Sequence, residues 1–283
     1  MWKTDEEDNS ESGASWRAGR AAPWLMTPEG VIAGQKARPH EEGRPHEWAR
    51  DKLGFEPDDR QAQVLASGAA RGLLNCTRQW GKSTVTAAKA VHEAYTHAES
   101  LTLVVSPTAR QSGEFVRKAA VFTQRLGIRP KGDGDNEISL ELPNGSRIVG
   151  LPGTESTIRG FSAVSLLLVD EASRVSDDLY LAIRPMLAVS QGKLWLMSTP
   201  NGKRGFFHEA WEHGGPEWER IRVTAYECPR IPAQFLEEER KTMGERWFQQ
   251  EYLCEFTDSV SGVFDGDAVA RAMTDEVEPL CIP

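Results

Sequence analysis

From residue 55 onward the chain alternates short apolar runs with longer stretches of helical spacing. The runs at 73–76, 101–106, 164–170 and 193–198 have strand length and carry few charges, which is the pattern of strands buried on both faces. Strands alternating with helical segments predict an α/β fold: a mostly parallel central sheet flanked by helices. Between the second and third runs, residues 137–149 place two alternating stretches on either side of Asn144-Gly145, the signature of a β-hairpin. Beyond residue 217 the pattern turns to Glu-rich helices at 233–241 and 244–255. These carry Trp247, Phe248, Tyr252 and Leu253 and predict a small helical subdomain on the sheet edge. The first 45 or so residues lack apolar periodicity and read as a flexible arm. The expected boundaries are therefore an arm at 1–50, an α/β core at 51–216, a helical subdomain at 217–260 and a trailing segment at 261–283.

The formal charge of −9 is unevenly spread, with 15 acids against 7 Lys or Arg in residues 217–283 and near neutrality over 51–216. Such a balance leaves room for a local DNA-contacting surface without announcing one. No apolar stretch reaches membrane-spanning length, and the amino terminus is not a secretory signal. Cys76, Cys228, Cys254 and Cys281 lack C-x-x-C spacing, so neither a zinc site nor a disulfide framework is expected. A soluble, intracellular chain with reduced thiols and no membrane partner is the expectation.

The chemistry concentrates after the first predicted strand. Leu73-Leu74-Asn75-Cys76-Thr77-Arg78-Gln79-Trp80-Gly81-Lys82-Ser83-Thr84 feeds an apolar run into a turn ending in Gly-Lys-Ser and then a helical pattern. Backbone N–H groups at a helix start, one lysine and one hydroxyl suit a nucleoside triphosphate with its magnesium ion. Gln79, Gly81, Lys82, Ser83 and Thr84 are the candidate nucleotide-binding residues, although Cys76 stands where the usual pattern has its first glycine. The third run ends in Asp170-Glu171, and carboxyl ends of parallel strands share one crevice. Asp170 is then expected in the Mg2+ shell beside Ser83. Glu171 is expected to orient and deprotonate the water that attacks the γ-phosphate of ATP.

Taken in order, these features resemble the large terminase subunit of tailed bacteriophages. Its signals here are Pro57-Asp58-Asp59-Arg60-Gln61, the phosphate loop, Ser106-Pro107-Thr108 with Gln111, Ile158-Arg159-Gly160-Phe161, Asp170-Glu171, Ser198-Thr199-Pro200-Asn201-Gly202 and the 248–256 segment. The resemblance implies a RecA-like P-loop ATPase with a helical lid, pumping double-stranded viral DNA into a procapsid in the host cytoplasm. It also implies a homo-oligomeric ring on the portal protein and a small terminase subunit as partner. By the same resemblance Gln61 meets the adenine edge and Arg78 acts in cis near the γ-phosphate. Arg159 is the finger for the neighbouring subunit's nucleotide, and Ser198, Thr199 and Pro200 couple the γ-phosphate to the lid.

Large subunits of this family usually continue into a metal-dependent nuclease domain. Residues 261–283 read as the start of a linker toward it, with Asp258, Asp265, Asp267, Asp275 and Glu276 as solvated charges. Two other readings stay open on the residues alone: a helicase-like DNA translocase, and a non-catalytic nucleotide-binding assembly protein.

Overall fold

The computed structural model describes residues 44–132, 134, 138–153 and 160–258. Strands β1 (Arg71–Cys76), β2 (Leu101–Ser106), β5 (Leu166–Asp170) and β6 (Lys193–Ser198) fall on the apolar runs. They join β3 (Ser139–Glu141), β4 (Arg147–Pro152) and β7 (Trp218–Val223) in a seven-stranded sheet of order β3-β4-β2-β5-β6-β1-β7. Every pairing is parallel except β3 with β4, the predicted hairpin. At its turn Gly145, with φ +79, donates to the Leu142 carbonyl at 3.0 Å.

Alternate residues of each strand enter different cores, as the twofold strand period requires. Leu74, Val104, Leu168 and Trp195 face α1 (Pro45–Leu53), α2 (Asp59–Ala66), α3 (Lys82–Thr96) and α4 (Ala109–Arg125). Leu73, Leu103, Leu167 and Leu196 pack under α5 (Asp177–Ile183) and α6 (Gly205–His213). Helices on both faces explain why the inner strands are mostly apolar. A third, small cluster of Ala225, Leu236 and Phe248 organises α7 (Ala233–Met243) and α8 (Glu245–Glu251).

Two expected boundaries are corrected. The arm does not run to residue 50: α1 begins at Pro45, and its Ala49 and Leu53 are fully buried in the first core. The helical subdomain does not begin at 217 either, because residues 218–223 form β7, paired in parallel with β1 along its whole length. The reason is compositional. β7 holds Glu219, Arg220 and Arg222 among its six residues, so its charged positions hide the strand period. A strand with one neighbour tolerates them because its outer edge meets solvent.

Lys89, on α3, fixes α2 against the sheet. Its buried ammonium donates to the Val64 and Ser67 carbonyls at 3.0 and 2.8 Å, the carboxyl end of α2, and lies 4.8 Å from the centroid of the Trp195 ring. This places a cation at a helix C-terminus. The same indole covers Gly72, its register partner on β1, and a methyl group at Gly72 would overlap the ring. Gly72→Ala is therefore expected to lower stability by about 1–3 kcal/mol, the usual cost of overpacking, seen as an earlier denaturant midpoint with an unchanged slope.

Candidate nucleotide site

β1, β6 and β5 are adjacent and parallel, so Cys76, Ser198 and Asp170 end on one edge of the sheet. The turn from β1 into α3 begins there. Cys76 remains extended, in register with Val223, and the Thr77 N–H donates to Val223 at 2.9 Å. The left-handed positions of the turn are Gln79 (φ +65) and Gly81 (φ +98) instead. A residue with a side chain is accommodated at 76 because that position is still strand. Gly81 heads α3 with no side-chain cap, so the helix opens with backbone N–H groups free for an anion. Ser83 and Thr84 are partly exposed in the first turn of α3.

Lys82 and the acids at the end of β5 form one cluster. The Lys82 ammonium is 2.9 Å from Glu171 Oε1, and Ser83 Oγ donates to Asp170 Oδ2 at 3.0 Å. Burial lowers the Lys82 pKa, but the charges of Glu171 and Asp170 outweigh it and the net shift is upward. Burial raises the Asp170 pKa, opposed in part by Lys82 and by the Ser83 hydroxyl. Glu171 itself is left-handed, φ 53 and ψ 42, a conformation uncommon for a residue with a side chain. The turn it begins, residues 172–174, carries Arg174, whose guanidinium reaches Glu171 at 3.3 Å and Glu251 at 3.8 Å.

Arg78 points to the lid. Its Nε is 2.6 Å from Glu251 Oε2, at the end of α8. Neighbouring contacts stitch the same stretch to the strand: Thr77 Oγ1 donates to the Glu251 carbonyl at 3.0 Å and Asn75 Nδ2 to the Cys254 carbonyl at 2.9 Å. From the other side, Gly202 N–H donates to Gln250 Oε1 at 3.0 Å.

Two groups of side chains expected to meet the nucleotide have partners within the protein. Ser198 and Thr199 do sit at the end of β6, buried with Pro200, but their hydroxyls are engaged within the protein. Ser198 Oγ is 2.7 Å from Ser173 Oγ, and Thr199 Oγ1 donates to the Cys76 carbonyl at 3.0 Å. They brace the turn after β5 and the start of the phosphate loop. Gln61, expected at the adenine edge, closes a capping box on α2: its Oε1 accepts from Asp58 N–H at 3.0 Å, and Asp58 Oδ1 accepts from Gln61 N–H at 2.9 Å. Its Nε2 donates to the Trp80 carbonyl at 3.0 Å. Both ends of this buried amide make one hydrogen bond each within the protein, so Gln61 holds the loop and keeps a second N–H and a second lone pair.

Arg159 lies outside the described residues. Arg174, Arg230 and Glu251 received no role from sequence. Arg174 sits three residues beyond Glu171, the spacing that lets two side chains meet across one turn, and that spacing was the available signal. Arg230 and Glu251 join the site only through tertiary contact.

A family model described as the N-terminal part of the T4-like virus type terminase large subunit matches residues 73–271. The terminase large subunit of Thermus phage G20c is 24% identical over 258 residues, covering 79% of this chain and 53% of that protein. The chain thus spans about half the length of the curated relatives it matches. The large terminase ATPase domain of Thermus phage P74-26 superposes with a TM-score of 0.68 at 22% identity, over 76% of this chain and all of that one. The large terminase of the thermophilic bacteriophage D6E, solved in complex with ADP, gives 0.59 at 17% identity over 70% of this chain and 53% of that one. These likenesses establish the fold as the RecA-like one of terminase ATPase domains.

Glu251→Gln is expected to loosen α8 by about 0.5–1 kcal/mol, since Arg78 is more than half exposed and its pair is screened. Hydrogen exchange in 245–251 would then run roughly two- to fivefold faster. Mass spectrometry of that peptide checks it, and unchanged exchange would show that Glu251 does not hold the helix.

Proposed function

The chain belongs to the terminase large-subunit family, and we propose that it is an ATP-hydrolysing motor that drives double-stranded viral DNA into a procapsid. The observation that carries this reading is the convergence of Lys82, Ser83, Asp170 and Glu171 on one edge of the sheet, beside free N–H groups at the start of α3. In this reading Gly81, Lys82, Ser83 and Thr84 hold the phosphates, with Gln79 shaping the turn. The Lys82 ammonium moves from Glu171 to the β- and γ-phosphate oxygens, which frees Glu171 to act as base. Glu171 then takes a proton from water as its oxygen bonds to the γ-phosphorus and the bond to the bridging oxygen breaks. Arg78, released from its pair with Glu251, stabilises charge on the transferred phosphoryl group, and Arg159 supplies a second guanidinium to a neighbouring protomer, so full activity needs a ring. Ser198, Thr199 and Pro200 relay the state of the site to the lid through the contact of Gly202 with Gln250.

Magnesium fits the donors present. Ser83 and Asp170 offer hard oxygens within hydrogen-bond reach of each other, and a further positive charge beside the buried Asp170 is electrostatically favourable. Among the described residues no group of three or more His, Cys, Asp or Glu converges on a metal. Ser83 and Asp170 would hold Mg2+ there, and the ion would supply positive charge to offset the charge that develops on the phosphates. The proposed partners are double-stranded DNA, a portal protein and a small terminase subunit, and the proposed setting is the host cytoplasm. Among the described residues no helix is long and apolar enough to cross a membrane.

Steady-state ATP hydrolysis tests the assignment. Glu171→Gln is expected to cut turnover by about 10²–10⁴-fold, the usual worth of a general base, while ATP still binds. Lys82→Ala is expected to lose binding as well. Turnover retained by Glu171→Gln would sink the role given to this carboxylate. Mixing Arg159→Ala protomers into the native protein is expected to depress activity more than dilution does, because each native site beside such a protomer then lacks its neighbour's guanidinium.

A further inference from the structure

The phosphate loop is held by separate groups of side chains on its two sides. Lys82, Ser83, Arg78 and the acids Asp170, Glu171 and Glu251 gather on the side where hydrolysis is placed. The other side is made by Asp58, Gln61, Trp80 and Arg230. Trp80 is fully buried, its indole N–H donates to Asp58 Oδ2 at 3.1 Å, and its carbonyl accepts from both Gln61 Nε2 and Arg230 NH2. Arg230 NH2 also lies 3.5 Å from Asp58 Oδ2. Arg230 comes from the segment between β7 and α7, so it is the lid region's own contribution to the loop.

Gly81 relates these groups to the nucleotide. A Cβ at Gly81 would lie 3.2 Å from Gln61 Nε2 and 3.9 Å from Arg230 NH2, so this group borders the loop where α3 begins. A nucleotide whose γ-phosphate lies among Lys82, Asp170 and Glu171 carries its base at its other end, and the Gln61 and Arg230 group borders the loop through contacts separate from those acids. Gln61 is buried with its amide engaged, whereas the Arg230 side chain is 52% exposed. Its contacts to Trp80 and Asp58 run through one edge nitrogen, and with half of the side chain exposed the guanidinium can present a planar face to a ligand. Such a face stacks on an aromatic ring.

We propose that Arg230 is a base-binding residue of the ATP site, laying its guanidinium against the purine ring while Gln61 and Asp58 hold the loop beneath it. The proposal rests on the ATP-site reading above. It gives the lid segment a direct contact with the nucleotide, beside Gln61.

Calorimetric titration with ATP and with inorganic tripolyphosphate separates the possibilities, using the native chain, Arg230→Ala and Arg230→Lys, with melting curves to confirm folding. Arg230→Ala is expected to weaken ATP about tenfold, the scale of a stacked cation on an aromatic ring, and to leave tripolyphosphate unchanged. Arg230→Lys restores only part of the loss, because an ammonium keeps the charge without the plane. Unchanged ATP affinity in Arg230→Ala overturns the proposal. Equal losses for ATP and tripolyphosphate also overturn it, since Arg230 would then act on the phosphate loop through the Trp80 carbonyl. A native chain that binds neither ligand removes the ATP-site reading itself and the proposal with it, an outcome distinct from both.

Discussion

A buried ammonium needs carboxylates beside it, and much of the site follows from satisfying Lys82. Leaving such a charge unpaired away from water costs several kcal/mol, so the turn after β1 must deliver Lys82 where acids are waiting. Parallel strands make this possible because β1, β6 and β5 all end on the same edge. The insertion of β6 between the other two sets the span that the lysine bridges to Glu171. Glu171 meets it from a left-handed backbone, which turns its carboxylate back across the strand ends. Ser83 and Asp170 complete the arrangement with a hydrogen bond between the same two elements.

The phosphate loop is a turn between β1 and α3, and the fold supports it from several directions. Thr199 grips its start through the Cys76 carbonyl, while Gln61 and Arg230 grip its middle through the Trp80 carbonyl. The end of α8 is tied to Asn75, Thr77 and Arg78, a short span of sequence that leads directly into the loop. Residues 250–254 are therefore attached to the strand that carries the nucleotide machinery, and to the loop after β6 through Gly202. The lid is built as a continuation of β1 as much as of the helices that make up its bulk.

How much of this was legible in sequence depended on whether a side chain's role was local. The inner strands declared themselves because both of their faces are covered, which favours apolar residues at most positions. The phosphate loop and Asp170-Glu171 were legible because strand ends and helix starts are marked in the chain itself. β7 was not, since Glu219, Arg220 and Arg222 interrupt its period, and α1 was lost in a polar stretch although Ala49 and Leu53 are fully buried. Gln61 was legible as a helix-start glutamine. Whether its amide faces a ligand or Trp80 is decided by a residue 19 positions away. Arg230 and Glu251 act across separations of 150 and 173 residues, which no spacing rule encodes.

The thiols acquire a use from where they lie. Cys76 and Cys254 are buried on either side of the junction between β1 and the lid segment, and Cys254 Sγ donates to the Val223 carbonyl at 3.2 Å. Burial raises the pKa of both, Cys254 to about 12 and Cys76 well above its ordinary value, so neither offers a thiolate at neutral pH. Alkylating reagents are excluded while the junction is closed. A chain that carries its own dormant labels at this seam makes the rate of their modification a clock for how often the lid and the strand part company.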